Sequence, residues 1–157
     1  MMKRMIFLAW MLSIVFVASA QTKGRHTSKQ TAPSTRAVER DVLGRHMLSL
    51  QWISWEDFGT CTITKDSKGV LHCKGEQRSK DNDEYLKMEG TITIVNARHL
   101  IFNGTIDILA YGLNNNKVYK RKGSFNFKAR GNRKYWRLQE MVRANDDGVD
   151  YVDIYFR

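Results

Sequence analysis

Apolar and polar side chains alternate along most of residues 46–157, as in Leu48-Ser49-Leu50 and Cys61-Thr62-Ile63. A period of two is typical of a β-strand with one buried face. No segment keeps the three-to-four spacing of an amphipathic helix for three turns. The pattern predicts eight strands, marked by the apolar positions Leu48, Leu50 and Trp52; Cys61 and Ile63; Leu71 and Cys73; Leu86, Met88, Ile92 and Ile94; Leu100, Phe102, Ile106 and Ile108; Phe125 and Phe127; Trp136 and Leu138; and Val152, Ile154 and Phe156.

Short polar turns separate these strands. Asp66-Ser67-Lys68-Gly69 is a hairpin signal, because glycine accepts the positive φ that a tight turn demands. Asn114-Asn115-Asn116 has the same role, since asparagine tolerates the left-handed region. Short links join antiparallel neighbours, so the prediction is an up-and-down meander.

A local motif recurs in four of the predicted strands: a glycine, a hydroxyl residue, and then two apolar residues flanking a polar one. It starts at Gly59, Gly90, Gly104 and Gly123. Glycine lets a strand bend sharply where a sheet coils. Four such bends in a meander predict a curled, closed β-barrel, which has no free edge strands. A two-sheet β-sandwich is the alternative.

With this strand count and glycine-led motif, residues 46–157 resemble the small secreted meander barrels of the lipocalin and avidin kind. The resemblance implies an architecture and an internal ligand cavity, but it assigns no binding residue. A lipocalin carries glycine two residues before its first-strand tryptophan, whereas Leu50 and Gln51 precede Trp52 here.

The N-terminus divides into two segments ahead of the predicted barrel. Residues 1–20 contain Lys3 and Arg4, an apolar run too short to span a bilayer, and the small residues Ala18-Ser19-Ala20, which predict a cleaved signal peptide. Residues 21–45 are polar and basic, which predicts a disordered arm. The mature protein is therefore expected to be secreted or periplasmic, without a membrane span, and 46–157 forms its one domain.

Cys61 and Cys73 are the two cysteines of the chain, and both lie in the hairpin closed by Asp66-Ser67-Lys68-Gly69. The alternation places their side chains on the same face of the sheet. An oxidising compartment favours a disulfide between them. The alternative is a pair of buried free thiols that pack as small hydrophobes.

Charge is concentrated in residues 108–139, which contain no acidic residue. The basic residues there are Lys117, Lys120, Arg121, Lys122, Lys128, Arg130, Arg133, Lys134 and Arg137, with Tyr119, Tyr135 and Trp136 among them. Basic and aromatic side chains together can bind an anionic partner such as a glycan, a lipid head group or an envelope polymer. Nucleic acid is not expected for an exported protein. The alternative is a solvated face, partly neutralised by cross-strand pairs with the acidic last strand.

Acidic residues cluster near the end of the chain, at Asp146, Asp147, Asp150 and Asp153. Their spacing differs from that of a calcium-binding EF-hand loop. They are interpreted as an acidic turn that keeps the edge of the sheet soluble. The four histidines are scattered and also lack the spacing of metal ligands.

No nucleophile, base and orienting group come together in the sequence, and it contains no phosphate-binding loop. We therefore expect a non-enzymatic protein without a cofactor or metal. The leading hypothesis is a secreted binding module whose barrel accepts a small apolar or amphipathic ligand. Its predicted lining consists of large apolar residues: Trp52, Trp55, Phe102, Phe125, Phe127 and Trp136. The alternative is a surface-interaction protein that holds an anionic envelope polymer or glycan through the basic residues above.

Overall fold

The computed structural model describes residues 35–144 and 148–157. A short helix precedes eight antiparallel strands, which follow one another in a meander and close into a barrel. The elements are α1 Thr35–Val42, β1 Gly44–Leu50, β2 Gly59–Lys65, β3 Leu71–Arg78, β4 Tyr85–Asn96, β5 His99–Leu109, β6 Tyr119–Lys128, β7 Tyr135–Leu138 and β8 Val152–Tyr155. The predicted all-β barrel is confirmed, and the strands do not split into the two sheets of a sandwich.

Pairing of the first strand with the last closes the barrel, with Leu48 of β1 opposite Ile154 of β8. The alternating apolar residues point inward and form one core, in which Leu48, Phe102 and Phe127 are completely buried. Both predicted turn signals are confirmed, because Gly69 and all three residues of Asn114–Asn116 have positive φ. Within the described residues, no helix has the length and apolarity needed to cross a membrane.

At three of its four positions, Gly59, Gly90 and Gly104, the glycine-led motif marks places where neighbouring backbones come very close. Gly104 lies opposite Gly90 on one side and Gly123 on the other, which aligns three glycines across β4, β5 and β6. A Cβ atom on Gly90 would lie 2.2 Å from the carbonyl oxygen of Asn103. The sheet can therefore coil tightly along this row because no side chain separates the strands.

The two ends of the barrel differ. At the helix end, where β1 begins and β8 ends, α1 packs Val38 and Val42 against the barrel. The opposite end, the loop end, carries the long connections 51–58, 79–84 and 110–118, together with the described residues 139–144 and 148–151.

Two boundary predictions need correction. The segment 21–45, predicted as disordered, includes α1 and the start of β1, because Val38 and Val42 lie one helical turn apart and are buried together. Residues 21–34 and the signal segment 1–20 lie outside the described residues. The first strand, predicted to include Trp52, ends at Leu50, where the chain turns and the amide of Ile53 donates to the carbonyl of Leu50 at 3.0 Å.

Candidate functional site

A cleft of about 430 Å³ lies between α1 and the helix end of the barrel. Five of its lining residues are apolar: Val38, Val42, Ala97, Trp136 and Phe156. The other two, Asp41 and Arg157, are charged and exposed. This volume falls within the usual range for small-molecule sites, about 300–1,000 Å³. The combination of an apolar wall with a few charged groups suits an amphipathic ligand.

Two aromatic rings from the barrel form one wall of this cleft. The indole of Trp136 on β7 and the ring of Phe156, just beyond β8, have centroids 4.4 Å apart. The indole N–H donates to the carbonyl oxygen of Ala97 at 3.1 Å, so its polar atom is satisfied and its orientation is set. The wall is therefore apolar and largely preformed.

His46 connects the helix to the barrel beside this wall. The side chain is buried, and its ring nitrogens lie within hydrogen-bonding distance of two carbonyl oxygens, with Nε2 2.7 Å from that of Val42 and Nδ1 2.8 Å from that of Tyr155. The ring also packs edge-on against Trp136, with centroids 5.8 Å apart. His46 thus holds the end of α1 directly over the aromatic wall.

Two further contacts fix α1 along its length. The Arg157 guanidinium donates to the carbonyl oxygen of Arg40 at 2.6 Å. The Lys65 ammonium on β2 lies 2.7 Å from the carboxylate of Glu39. Both contacts are on the surface, where each contributes little to stability, about 1 kcal/mol or less for an exposed ion pair. The helix can therefore adjust to a bound molecule more easily than the barrel can.

The structure separates the six aromatic residues predicted to line one ligand cavity. Trp136 alone lines the cleft. Phe102 packs against Phe125 and Phe127 in the core, with ring centroids 6.2 and 6.3 Å apart, so these three fill the barrel interior. Trp52 and Trp55 lie in the loop after β1 with 40% and 48% of their surface exposed. The sequence prediction missed the other cleft residues, which are Ala97, Phe156, Arg157 and those of α1. The signal for α1 was the spacing of Val38 and Val42.

The nine predicted anion-binding residues are also divided. Arg121 points into the barrel, Arg137 forms an ion pair with Asp153 at 2.6 Å, and Lys120 lies 3.6 Å from Asp107. The remaining six stay on the outer surface of β6 and in the loops at its ends: Lys117, Lys122, Lys128, Arg130, Arg133 and Lys134. The predicted cross-strand neutralisation by the last strand is thus present at Arg137, and the basic surface is smaller than the sequence suggested.

A buried ionic cluster closes the loop end of the barrel. The Asp150 carboxylate accepts from Arg143 at 2.6 Å and from the indole N–H of Trp52 at 3.1 Å, and its other oxygen lies 3.9 Å from Arg121. Asp150 and Asp153 are both completely buried, so their interpretation as a solvated acidic turn is wrong. Asp146 and Asp147 lie outside the described residues.

Cys61 and Cys73 lie side by side in the core as free thiols, with their sulfur atoms 3.3 Å apart. They are diagonal neighbours, since Cys61 is opposite Gly75 and Cys73 is opposite Ile63. The hydrogen bond with the Cys61 thiol, together with burial, raises the pKa of Cys73 well above its ordinary value. The disulfide stays a prediction.

We expect an oxidant to join these two thiols without rearranging the barrel. Oxidation should stabilise the protein by about 2–3 kcal/mol, because the bridge closes a short loop in the unfolded chain. The measurement is urea unfolding of oxidised and reduced samples, with intact mass confirming the loss of two hydrogen atoms. The Cys61→Ala, Cys73→Ala variant should not respond to the oxidant. Equal unfolding midpoints for the two wild-type samples would contradict the prediction.

Comparisons with known proteins place the chain in a family. The profile of the PM1083 family matches residues 23–156. A relative from Pasteurella multocida (strain Pm70), titled "Uncharacterized protein PM1083", is 40% identical over 119 residues, which cover 76% of this chain and 76% of the relative. No solved structure matches the chain. The chain therefore belongs to the PM1083 family.

Proposed function

We propose that this member of the PM1083 family is an exported, non-enzymatic binding module that holds a small amphipathic ligand beneath α1. The observation that carries the proposal is the 430 Å³ cleft with its apolar wall and its two exposed charged residues. The apolar body of the ligand would lie against Trp136 and Phe156. Its polar head would face Asp41 and Arg157 at the surface.

The charges around the cleft favour an anionic head group. Asp41 is already 3.3 Å from the guanidinium of Arg40, whereas Arg157 uses one nitrogen for the carbonyl of Arg40. A guanidinium has five N–H donors in a planar fork, so Arg157 keeps donors for a carboxylate or phosphate. A molecule with an apolar body and an acidic head is therefore the best match.

The barrel architecture supports a binding function, but with the ligand site outside the barrel interior. Meander barrels of the lipocalin and avidin kind, which this sequence resembles, can hold one small ligand inside an eight-stranded barrel. Here phenylalanine rings occupy the interior, so we place the ligand at the helix end instead. The cleft there is already open beside α1, and the exposed contacts of Glu39 and Arg40 allow the helix to adjust to the ligand at small cost.

The first experiment measures binding of an amphipathic anion, decanoate, by displacement of the fluorescent probe anilinonaphthalene sulfonate. In the Ala97→Phe variant a phenyl ring should fill the cleft and raise the Kd of both compounds at least about tenfold, or 1.4 kcal/mol. Val95→Phe is the matched control, because Val95 is exposed on β4 and does not line the cleft. Unchanged binding by a folded Ala97→Phe protein would refute the site.

A second experiment identifies the natural ligand and tests export. The protein is purified from its own host and its mass is measured under native and denaturing conditions. A ligand should appear as an added mass that disappears on denaturation, and the denatured chain should begin at Gln21. A chain that retains residues 1–20 would contradict export, and a bare native mass together with no decanoate binding would refute the binding function.

A further inference from the structure

A separate group of side chains lies on the outside of the barrel, across β7 and β8. Tyr135 and Arg137 point outward from β7, and Asp153 and Tyr155 point outward from β8, since the residues between them are in the core. Tyr151, just before β8, lies beside Arg137. We call these five residues the outer aromatic face.

Arg137 is held rigidly at the centre of this face. Its Nε and Nη2 atoms donate to the two carboxylate oxygens of Asp153 at 2.7 and 2.6 Å. The guanidinium also lies over the rings of Tyr135 and Tyr151, 5.1 and 4.4 Å from their centroids. A guanidinium bound on one edge and stacked on two rings has few alternative conformations. The guanidinium is therefore fixed in orientation, with its Nη1 side not used by Asp153 and 14% of the side chain exposed.

The partner carboxylate is unusual for the outside of a barrel. Asp153 is completely buried although it points away from the core. Burial raises the pKa of Asp153, while the hydrogen bond from Arg137 opposes that rise. The same hydrogen bond raises the pKa of Arg137. The free energy of desolvating a buried charged pair usually offsets the attraction between its two charges. Stability alone therefore gives no reason for this pair, whereas positioning of the guanidinium does.

Aromatic rings extend the face on one side and basic groups on the other. The Tyr135 and Tyr155 rings have centroids 5.2 Å apart, and Tyr155 is 5.1 Å from Phe58, which is 39% exposed. Arg133 lies over Tyr135 at 5.7 Å, and Lys128 pairs directly with Arg137 across the sheet. The ring planes are inclined to one another, by 50° between Tyr135 and Tyr155 and by 78° between Tyr155 and Phe58. The face thus combines inclined rings with the cationic side chains of Arg133 and Lys128 beside the Arg137–Asp153 pair.

We propose that the outer aromatic face binds an acidic polysaccharide. Aromatic rings provide apolar surfaces for the C–H groups of sugar rings, and the N–H groups of Arg137 not used by Asp153, with Arg133 and Lys128 beside them, provide donors for a carboxylate or sulfate on the chain. The exposed cations of the adjoining β6 surface, such as Lys122, would attract the same polymer over a longer range. This site is independent of the cleft beneath α1.

The test is titration with an oligogalacturonate, which carries one carboxylate on each sugar, and with a neutral oligogalactan of equal length. The acidic oligomer should bind and weaken as salt rises, and the neutral one should bind at least about tenfold more weakly. Equal affinity for the two oligomers, or no binding of the acidic one, would overturn the proposal.

Three variants identify the surface used. Tyr151→Leu removes one ring, and the double variant Arg137→Met, Asp153→Leu removes both charges without leaving one buried alone. Each should lower affinity for the oligogalacturonate about tenfold. Lys74→Gln is the control, because Lys74 is an exposed cation on β3, away from β7 and β8. An equal loss in Lys74→Gln would assign binding to general charge attraction and refute the site, and thermal melting confirms that each variant is folded.

Discussion

Replacing Gly90 with alanine is expected to destabilise the barrel by more than about 3 kcal/mol, beyond the usual cost of overpacking a core. The added Cβ would lie 2.2 Å from the carbonyl oxygen of Asn103 and 2.7 Å from the Cα of Gly104. Both atoms belong to the backbone of β5, so no side chain can rotate away. The strands β4 and β5 would have to separate at the centre of the longest ladder in the sheet.

Urea unfolding monitored by circular dichroism measures this effect. Gly75→Ala is the matched control, since it makes the same change within a strand. There the new Cβ would contact mainly side chains, with Leu48 Cδ2 at 3.0 Å and the Cβ atoms of Cys61 and Met88 at 3.5 and 3.6 Å. The Cys61 and Met88 distances are ordinary contacts, and the Leu48 methyl can move a few tenths of an ångström. Equal losses in Gly75→Ala and Gly90→Ala would contradict the role assigned to the glycine row.

The barrel could be predicted from the sequence because the features that indicate it are local and recur along the chain. Alternation identified each strand, Asp66–Gly69 and Asn114–Asn116 identified two turns, and the glycine-led motif indicated where the sheet coils. The motif's physical basis required the structure, because the pairing of Gly90 with Gly104 depends on the register between two strands. Alternation excludes a register shift of one residue, which would turn every side chain to the other face, but a shift of two residues keeps the same alternation.

The cleft could not be predicted in this way. Helix α1 has only two turns, and its two buried residues, Val38 and Val42, stand within a polar and basic segment. Such a short helix is marginal in isolation and forms here because the barrel end accepts its apolar side. The sequence places Trp136 in a strand but gives no indication that the preceding helix covers it.

The acidic residues were misread for a related reason. Charged residues are most often exposed, so Asp150 and Asp153 were interpreted as a solvated turn. Their actual partners, Arg143 for Asp150 and Arg137 for Asp153, lie 7 and 16 residues away along the chain. The Arg143–Asp150 pair depends on the path of the chain between β7 and β8, which no periodicity in the sequence reports. The Arg137–Asp153 pair joins directly opposed residues of β7 and β8, and such cross-strand pairing was predicted from the sequence only as the alternative.

Replacing Asp150 with asparagine should have the second large effect, a loss of about 3–5 kcal/mol in the free energy of unfolding. The carboxylate is completely buried between Arg143 and Arg121, and both of those side chains are themselves at least nine-tenths buried. Asparagine removes the negative charge and turns an N–H₂ donor toward guanidinium or indole donors. The remaining positive charges would stay in a poorly hydrated site, which is the costly outcome of breaking a buried pair.

Urea unfolding again provides the measurement, and tryptophan fluorescence reports locally, because Trp52 donates its indole N–H to Asp150. Asp107→Asn is the matched control: Asp107 lies 3.6 Å from Lys120, with 26% of its side chain exposed and 73% of its partner's. That exposed pair should contribute about 1 kcal/mol or less. If both substitutions lowered the free energy of unfolding by the same small amount, the Asp150 cluster would not be what stabilises the loop end. A selective loss in Asp150→Asn, with a shift in tryptophan emission, would identify the cluster as the contact that holds Arg143 and Asp150 at the loop end of the barrel.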